Sequence, residues 1–172
     1  TLFRSCFGVG KIPFAPGTWG SLFAVFFFWV FNQFMAIFLI AIVPLLFLGV
    51  YISNQYLIKN GITGDPREIV IDEFVGQTFA IIISLMLANS ILAAPHGLNL
   101  QMSFAKTVYE PFDYTFLVTL LSFCLFRAFD IFKPFPISWV DQNMEGGKGV
   151  MYDDALAGVF AGLASGLVFL MV

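Results

Sequence analysis

Histidine and cysteine are nearly missing from this chain, which has His96 as its one histidine and Cys6 and Cys124 as its two cysteines. Cys124 falls inside an apolar run and Cys6 near the start. A disulfide framework is therefore not expected, and a zinc site has too few soft ligands. Charge is scarce as well, at 11% of residues, and 8 Lys+Arg against 11 Asp+Glu give a formal net charge of −3. That balance provides no basic stripe, so nucleic acid is not an expected partner. No cleavable leader is visible.

Apolar side chains are what the chain has in plenty. Hydrophobic residues make up 59%, phenylalanine alone numbers 23, and the mean hydropathy is +0.90. Soluble domains run nearer about 45–50% apolar. The expected fold class is all-α, a polytopic membrane helical bundle forming a single domain over residues 1–172. Strands are not expected, because the apolar runs do not alternate and lipid-exposed backbone must be satisfied within helices or a closed barrel. The apolar stretches are Thr18–Phe31, Phe34–Ser53, Pro66–Asn89, Phe112–Phe132 and Asp153–Val172. A spanning helix needs about 20 residues. The pattern thus predicts four full spans plus a short or re-entrant first helix.

Local signals set the boundaries. Asp65-Pro66-Arg67-Glu68 combines a capping acid, a proline at the first helical position and a glutamate three residues after the cap. The third helix should start at Pro66, with Asp72 and Glu73 in its second turn. The fourth should end by Lys133, because Pro134 and Pro136 follow. Asp153 or Asp154 should cap the fifth, where the helix dipole favours negative charge. A turn at Asn32-Gln33 places Arg4, Lys11, Lys59, Arg67, Arg127, Lys133 and Lys148 on one face and only Lys106 on the other. The excess of positive charge makes the crowded face cytoplasmic.

Three regions carry candidate chemistry. Phe7 to Ser21 (FGVGKIPFAPGTWGS) is rich in glycine, and Thr18 and Ser21 stand where a helix begins and its free N–H groups suit an anion. Lys11 adds a charge. The plainer reading is a turn-rich entry into a membrane helix. In Asp65 to Gln77 (DPREIVIDEFVGQ), capping explains Asp65 and Glu68. It does not explain Asp72 and Glu73, which enter an apolar helix; metal ligation by one or both is the sharper reading, a solvated helix end the plainer one. Glu73 shares its helix face with Gln77.

The third region, Phe126 to Gly158, holds most of the charge. Arg127, Asp130 and Lys133 follow one side of a helix, where they either bind an anion or form an ion-pair ladder. Gly146-Gly147-Lys148-Gly149 is no phosphate-binding P-loop, since no Ser or Thr follows the lysine. Asp154 leads a ridge of Gly158, Gly162 and Gly166 that lets another helix approach closely. Charged residues beside lipid are costly and mark functional sites. With so little histidine, phosphate transfer through a phosphohistidine is excluded. No Cys-x5-Arg loop and no Asp-x-Asp nucleophile pair occurs either. Carboxylates remain, and hard oxygen ligands select Mg²⁺ with a phosphate.

Four segments resemble the phosphatidylglycerophosphatase A family. They are Pro16–Ser21 (PGTWGS), Ile71–Gly76 (IDEFVG), Phe126–Ile137 (FRAFDIFKPFPI) and Gly146–Asp154 (GGKGVMYDD) running into Ala157-Gly158. The resemblance implies a Mg²⁺-dependent phosphomonoesterase of the bacterial cytoplasmic membrane, multi-pass, with its active site facing the cytoplasm. It would convert phosphatidylglycerophosphate in the bilayer to phosphatidylglycerol and phosphate during phospholipid synthesis. On that reading Asp72, Glu73, Asp130, Asp153 and Asp154 hold the metal. Asp130, Asp154, Asp72 and Glu73 are the catalytic candidates, and Lys11, Thr18, Ser21, Arg127 and Lys133 bind substrate. Either an ion-activated water or Asp130 or Asp154 attacks phosphorus. The loop Ala88–Tyr114 looks longer than the family expects. The rival from another class is a small membrane transporter or channel, which calls for ionisable groups near the middle of its spans.

Overall fold

The computed structural model describes residues 3–31, 34–62, 64, 66–93 and 112–170. His96, Lys106, Asn32-Gln33, Asp65, the side chain of Lys11 and most of the Ala88–Tyr114 loop lie outside the described residues. Among those described there are only helices, turns and bends. A 3-10 segment, Cys6–Lys11, precedes α1 (Pro16–Phe31), α2 (Met35–Asn60), α3 (Ile71–Ala93), α4 (Phe112–Phe132), α5 (Ile137–Asn143) and α6 (Gly146–Leu170). Four of these, α2, α3, α4 and α6, are long and apolar enough to cross a membrane, and α1 is a shorter apolar helix. At about 1.5 Å per residue, the 16 residues of α1 fall short of a hydrocarbon core about 30 Å thick.

Two expected boundaries move, and each moves for a local reason. The third helix begins at Ile71, not at Pro66. Pro66 to Glu68 form a turn closed by the Ile69 N–H on the Pro66 carbonyl, at 2.9 Å. The Val70 and Ile71 N–H groups then both donate to the Arg4 carbonyl, at 2.8 and 3.1 Å. The N-terminal segment thus satisfies the first donors of α3 from outside. Asp72 and Glu73 consequently stand in its first turn.

The last helix begins at Gly146, so Asp153 and Asp154 are interior residues of α6, not its caps. Gly147 lies against Val50 and Asn54 of α2, so close that a β-carbon there would strike backbone. Its N–H donates to Asn54 Oδ1 at 3.4 Å. Backbone proximity to α2 therefore holds the glycine-rich stretch in the helix despite its low propensity. The second helix also runs on past Ser53 to Asn60, where Gly61 (φ +61°) ends it in the left-handed conformation.

α3 is the most enclosed of the spans and α2 the least. Its principal partner is α6. Lipid tails are as apolar as the side chains, so this pairing rests on close packing and not on water exclusion. Gly158 abuts the Gly76 carbonyl, Gly162 meets Ala80 and Ile83, and Gly166 meets Leu87. The small-residue ridge of α6 thus seats on α3, as its spacing predicts. The starts of α1, α3 and α6 and the end of α4 come together at one end of the bundle, because Gly17 touches Glu73 and Arg127, and Gly76 touches Asp154 and Phe126. α1 ends at Phe31 and α2 begins at Met35, on either side of the position expected for a turn.

Candidate active site

At that end the carboxylates of Asp72, Glu73 and Asp154 converge. One oxygen from each lies within 4.8 Å of the others, a grouping that could hold a metal ion. Adjacent side chains on a helix normally diverge by about 100°. The first-turn position resolves this for Asp72, whose Oδ1 turns back to accept the Glu73 N–H at 3.0 Å. Asp72 and Asp154 are almost wholly buried, and Glu73 is half-buried. Asp130 comes within hydrogen-bonding reach of Asp154.

A cation borders this group. Arg127 Nη1 meets Asp130 Oδ2 at 2.7 Å and donates to Ser21 Oγ at 3.4 Å. Ser21 in turn donates to the Gly17 carbonyl at 3.0 Å. Gly17 is the wall of the site. A β-carbon there would run into Glu73 Oε1 and stand 3.3 Å from Arg127 Nη1. Thr18, half-buried, occupies the same first turn of α1.

Lys133 and Asp153 take another course. Lys133 follows the last residue of α4 with φ +41°, an unusual conformation for a residue with a side chain. Its ammonium reaches Asp141 and Asp153, both at 2.6 Å. Burial works against the Lys133 charge, but the two hydrogen-bonded carboxylates outweigh it and raise its pKa. The ladder, the plainer of the two readings of this stretch, therefore forms only as far as Arg127–Asp130; Lys133 pairs with Asp141 of α5 and Asp153 of α6. Helix α5, between the prolines and the glycines, has no counterpart among the sequence expectations, since seven residues are too few for a clear apolar period. Asp141, Glu145 and Asp153 line a separate cavity of about 570 Å³ with Asn54, Gly61 and Gly149.

The N-terminal segment closes the side of the cluster. Cys6 is buried, and its thiol donates to the Val70 carbonyl at 3.6 Å. Burial, with a smaller contribution from the Asp72 charge, pushes the thiol up to about 12. Gln77, one turn beyond Glu73, is completely buried. Its signal in the sequence was a long polar side chain in an apolar helix, four residues after Glu73.

Comparison with known proteins identifies the family. The family model described as phosphatidylglycerophosphatase A matches residues 2–169. Phosphatidylglycerophosphatase A of Haemophilus influenzae is 36% identical over 157 residues, covering 90% of this chain and 79% of that protein. The Escherichia coli protein of the same name is 33% identical over 157 residues, covering 90% and 74%. A Bacteroides thetaiotaomicron protein provisionally named phosphatidylinositol-3-phosphatase is 31% identical over 166 residues, covering 93% and 87%. No solved structure matches. On the strength of a match along nearly its whole length, the chain belongs to the phosphatidylglycerophosphatase A family.

Proposed function

We propose that this protein is a single-domain membrane phosphatase. It removes the terminal phosphate of phosphatidylglycerophosphate, with Mg²⁺ held at the end of the bundle where the carboxylates meet. The observation that carries the reading is the approach of Asp72, Glu73 and Asp154 to within 4.8 Å of one another, beside Arg127. Like charges this close repel, and a divalent cation relieves the repulsion. The donors are all carboxylate oxygens, which suit a hard cation such as Mg²⁺ better than zinc. Such an ion, when bound, supplies charge neutralisation for the phosphoryl oxygens and lowers the pKa of water.

The chain's own residues do the rest. Asp72, Glu73 and Asp154 hold the cation, with Asp130 alongside. Arg127, oriented by Asp130 and Ser21, presents its planar fork to the phosphate. A carboxylate of the cluster takes the proton from the attacking water. The α1 start, with Thr18, frames the phosphate from the other side, and Lys11 is kept as a substrate-binding candidate from its place in the sequence alone. Asp153 is assigned to Lys133 and not to the cation, and Lys133 to holding this part of α6 and not to the substrate. A channel or transporter calls for ionisable groups at mid-span, whereas Asp72 and Glu73 stand in the first turn of α3, Asp130 in the last turn of α4, and Asp154, although inside α6, is level with them. The positive residues at the same end make that end cytoplasmic, in a bacterial inner membrane, where the product serves phospholipid synthesis.

A second substrate has an observation of its own. The Bacteroides relative is named for a different lipid phosphomonoester. The test is phosphate release by the purified protein in detergent, from phosphatidylglycerophosphate and from phosphatidylinositol 3-phosphate, with Mg²⁺ and with a chelator. Release from the first lipid, dependent on Mg²⁺, is the expected result. Release that survives complete chelation would remove the metal, and preference for the inositol lipid would replace the substrate. An Asp130→Asn variant with wild-type turnover would take Asp130 out of the site.

A further inference from the structure

Gln77 is wholly buried, and neither its amide oxygen nor its amide nitrogen has a hydrogen-bond partner. A polar side chain left unsatisfied in a low-dielectric interior is costly, and such a group calls for an explanation. The buried hydroxyls of Ser53 and Ser165 also lack a partner, but other buried polar residues of the spans do not share the problem. Thr78 donates to Phe74 O, Ser84 to Gly162 O, and Thr119 to Thr115 O. Gln77 alone among these keeps both a donor and an acceptor idle.

Its position says where they point. Gln77 is four residues beyond Glu73 on α3, so the two share a helix face. Long side chains on a helix lean toward its N-terminus and cover the preceding turn. The amide is thereby carried toward the turn that bears Asp72 and Glu73. That face of α3 packs on Gly17 and Gly20 of α1, with Arg127 adjoining. Arg127 Nε is likewise buried without a hydrogen-bond partner. Helix spacing thus puts the idle amide about one turn from the carboxylates, on the side toward the bilayer interior.

We propose that Gln77 is a positioning residue, holding the attacking water beside Glu73. The inference rests on the phosphatase reading above. A ligand that both donates and accepts fits an amide with both ends idle, and water is the smallest such ligand the reaction needs. The amide oxygen accepts a hydrogen bond from the water, which turns a lone pair toward phosphorus. The water oxygen forms the new P–O bond, the ester P–O bond breaks, and the lipid leaves as an alcohol. One water proton goes to a cluster carboxylate and from there to the leaving oxygen. Gln77 itself is unchanged. If an aspartyl-phosphate forms first, the same water attacks in the second step, so the role does not depend on that choice.

The test pairs kinetics with stability. Gln77→Met and Gln77→Leu remove the amide while keeping most of the volume. Turnover should fall on the order of 100-fold, the cost of a misplaced reactant, with KM near wild type. The melting temperature in detergent should be unchanged or higher, because no protein hydrogen bond is lost. Wild-type turnover in both variants overturns the proposal. So does a melting temperature that drops in step with turnover, or failure of both variants to fold, either of which assigns Gln77 to packing. If the wild-type protein releases no phosphate from any lipid phosphomonoester, the phosphatase reading fails first and takes this role with it.

Discussion

Asp153 and Asp154 are neighbours in sequence and separate in space. Asp154 turns into the group with Asp72 and Glu73, where one oxygen from each of three carboxylates lies within 4.8 Å of the others. Asp153 turns the other way and meets the Lys133 ammonium at 2.6 Å. Both are 5% exposed, so burial does not distinguish them. Charge balance does. One acid is held directly by a lysine, and the other faces further carboxylates, of which Asp130 pairs with Arg127. A buried carboxylate that is already paired has no call for an external cation; a group of them does. On the proposed reading, the difference marks one side of α6 as the place for chemistry and the other as the brace that holds α6 in register.

The sharpest way to break this contrast is to neutralise each acid in turn. Asp154→Asn should reduce phosphate release by more than about 100-fold, beyond the range seen for groups that only support a ligand. Metal affinity should fall with it, measured by the Mg²⁺ concentration for half-activation. Asp153→Asn should cost about tenfold or less, because Lys133 retains Asp141. Equal losses in the two variants would erase the distinction.

The next effect is steric. Gly158 rests on the Gly76 carbonyl and keeps α6 seated on α3 just below the carboxylates. In Gly158→Ala the new methyl has nowhere to go, and the helices must part. A shift of about 1 Å at the cluster suffices for losses on the order of 100-fold in turnover. Glycine at this position sets the Asp72–Asp154 separation, so half-activation by Mg²⁺ should move as well. An alanine variant with unchanged Mg²⁺ dependence would show that the ridge serves packing alone.

Much of this was legible in the sequence, and the failures are instructive. The fourth helix ends where Pro134 and Pro136 require, and the glycine ridge of α6 finds its partner helix. Asp72, Glu73, Asp130, Asp154, Arg127 and Ser21 are brought to one end of the bundle, and each stands out as a polar group in or beside an apolar run. What was not legible depended on distant contacts. The Asp65-Pro66-Arg67-Glu68 signal names a helix start that the Arg4 carbonyl overrides, five residues later. The glycines after residue 145 read as a loop, because nothing local reveals that α2 lies against them. The parting of Asp153 from Asp154 was likewise hidden, since it depends on where Lys133 swings after the helix ends.

The brace itself yields a smaller effect. Lys133→Met leaves Asp153 buried without its cation. Removing one partner of a wholly buried pair costs about 3–5 kcal/mol. Lys133 keeps 27% side-chain exposure, so about 2 kcal/mol is the reasonable expectation, read as a lower melting temperature. In the double variant Lys133→Met, Asp153→Leu most of that loss should return. The sign with pH follows from the raised lysine pKa. The pairs contribute fully below the ordinary lysine range, about 10.4, and are lost only as pH rises past it. A melting temperature that already declines between neutral pH and that range in wild type, but not in the double variant, would contradict the pairing.

The smallest expected effect is an absence of reaction. Cys6 lies beside Asp72 with its thiol held up to about 12 by burial and, to a lesser degree, by the Asp72 charge. The thiolate is the reactive form. Near pH 8, around which an ordinary thiol of pKa about 8.5 is partly ionised, Cys6 should stay protonated and covered. A thiol-reactive reagent should leave it untouched in the folded protein and modify it after denaturation. Cys124, exposed on α4, serves as the internal reference when the reagent is soluble in the detergent phase. Asp72→Asn removes the smaller contribution, so labelling of Cys6 should rise slightly at most. Rapid labelling of Cys6 in the folded wild-type protein would mean that the N-terminal segment does not stay on Val70, and that the carboxylate cluster has an open side.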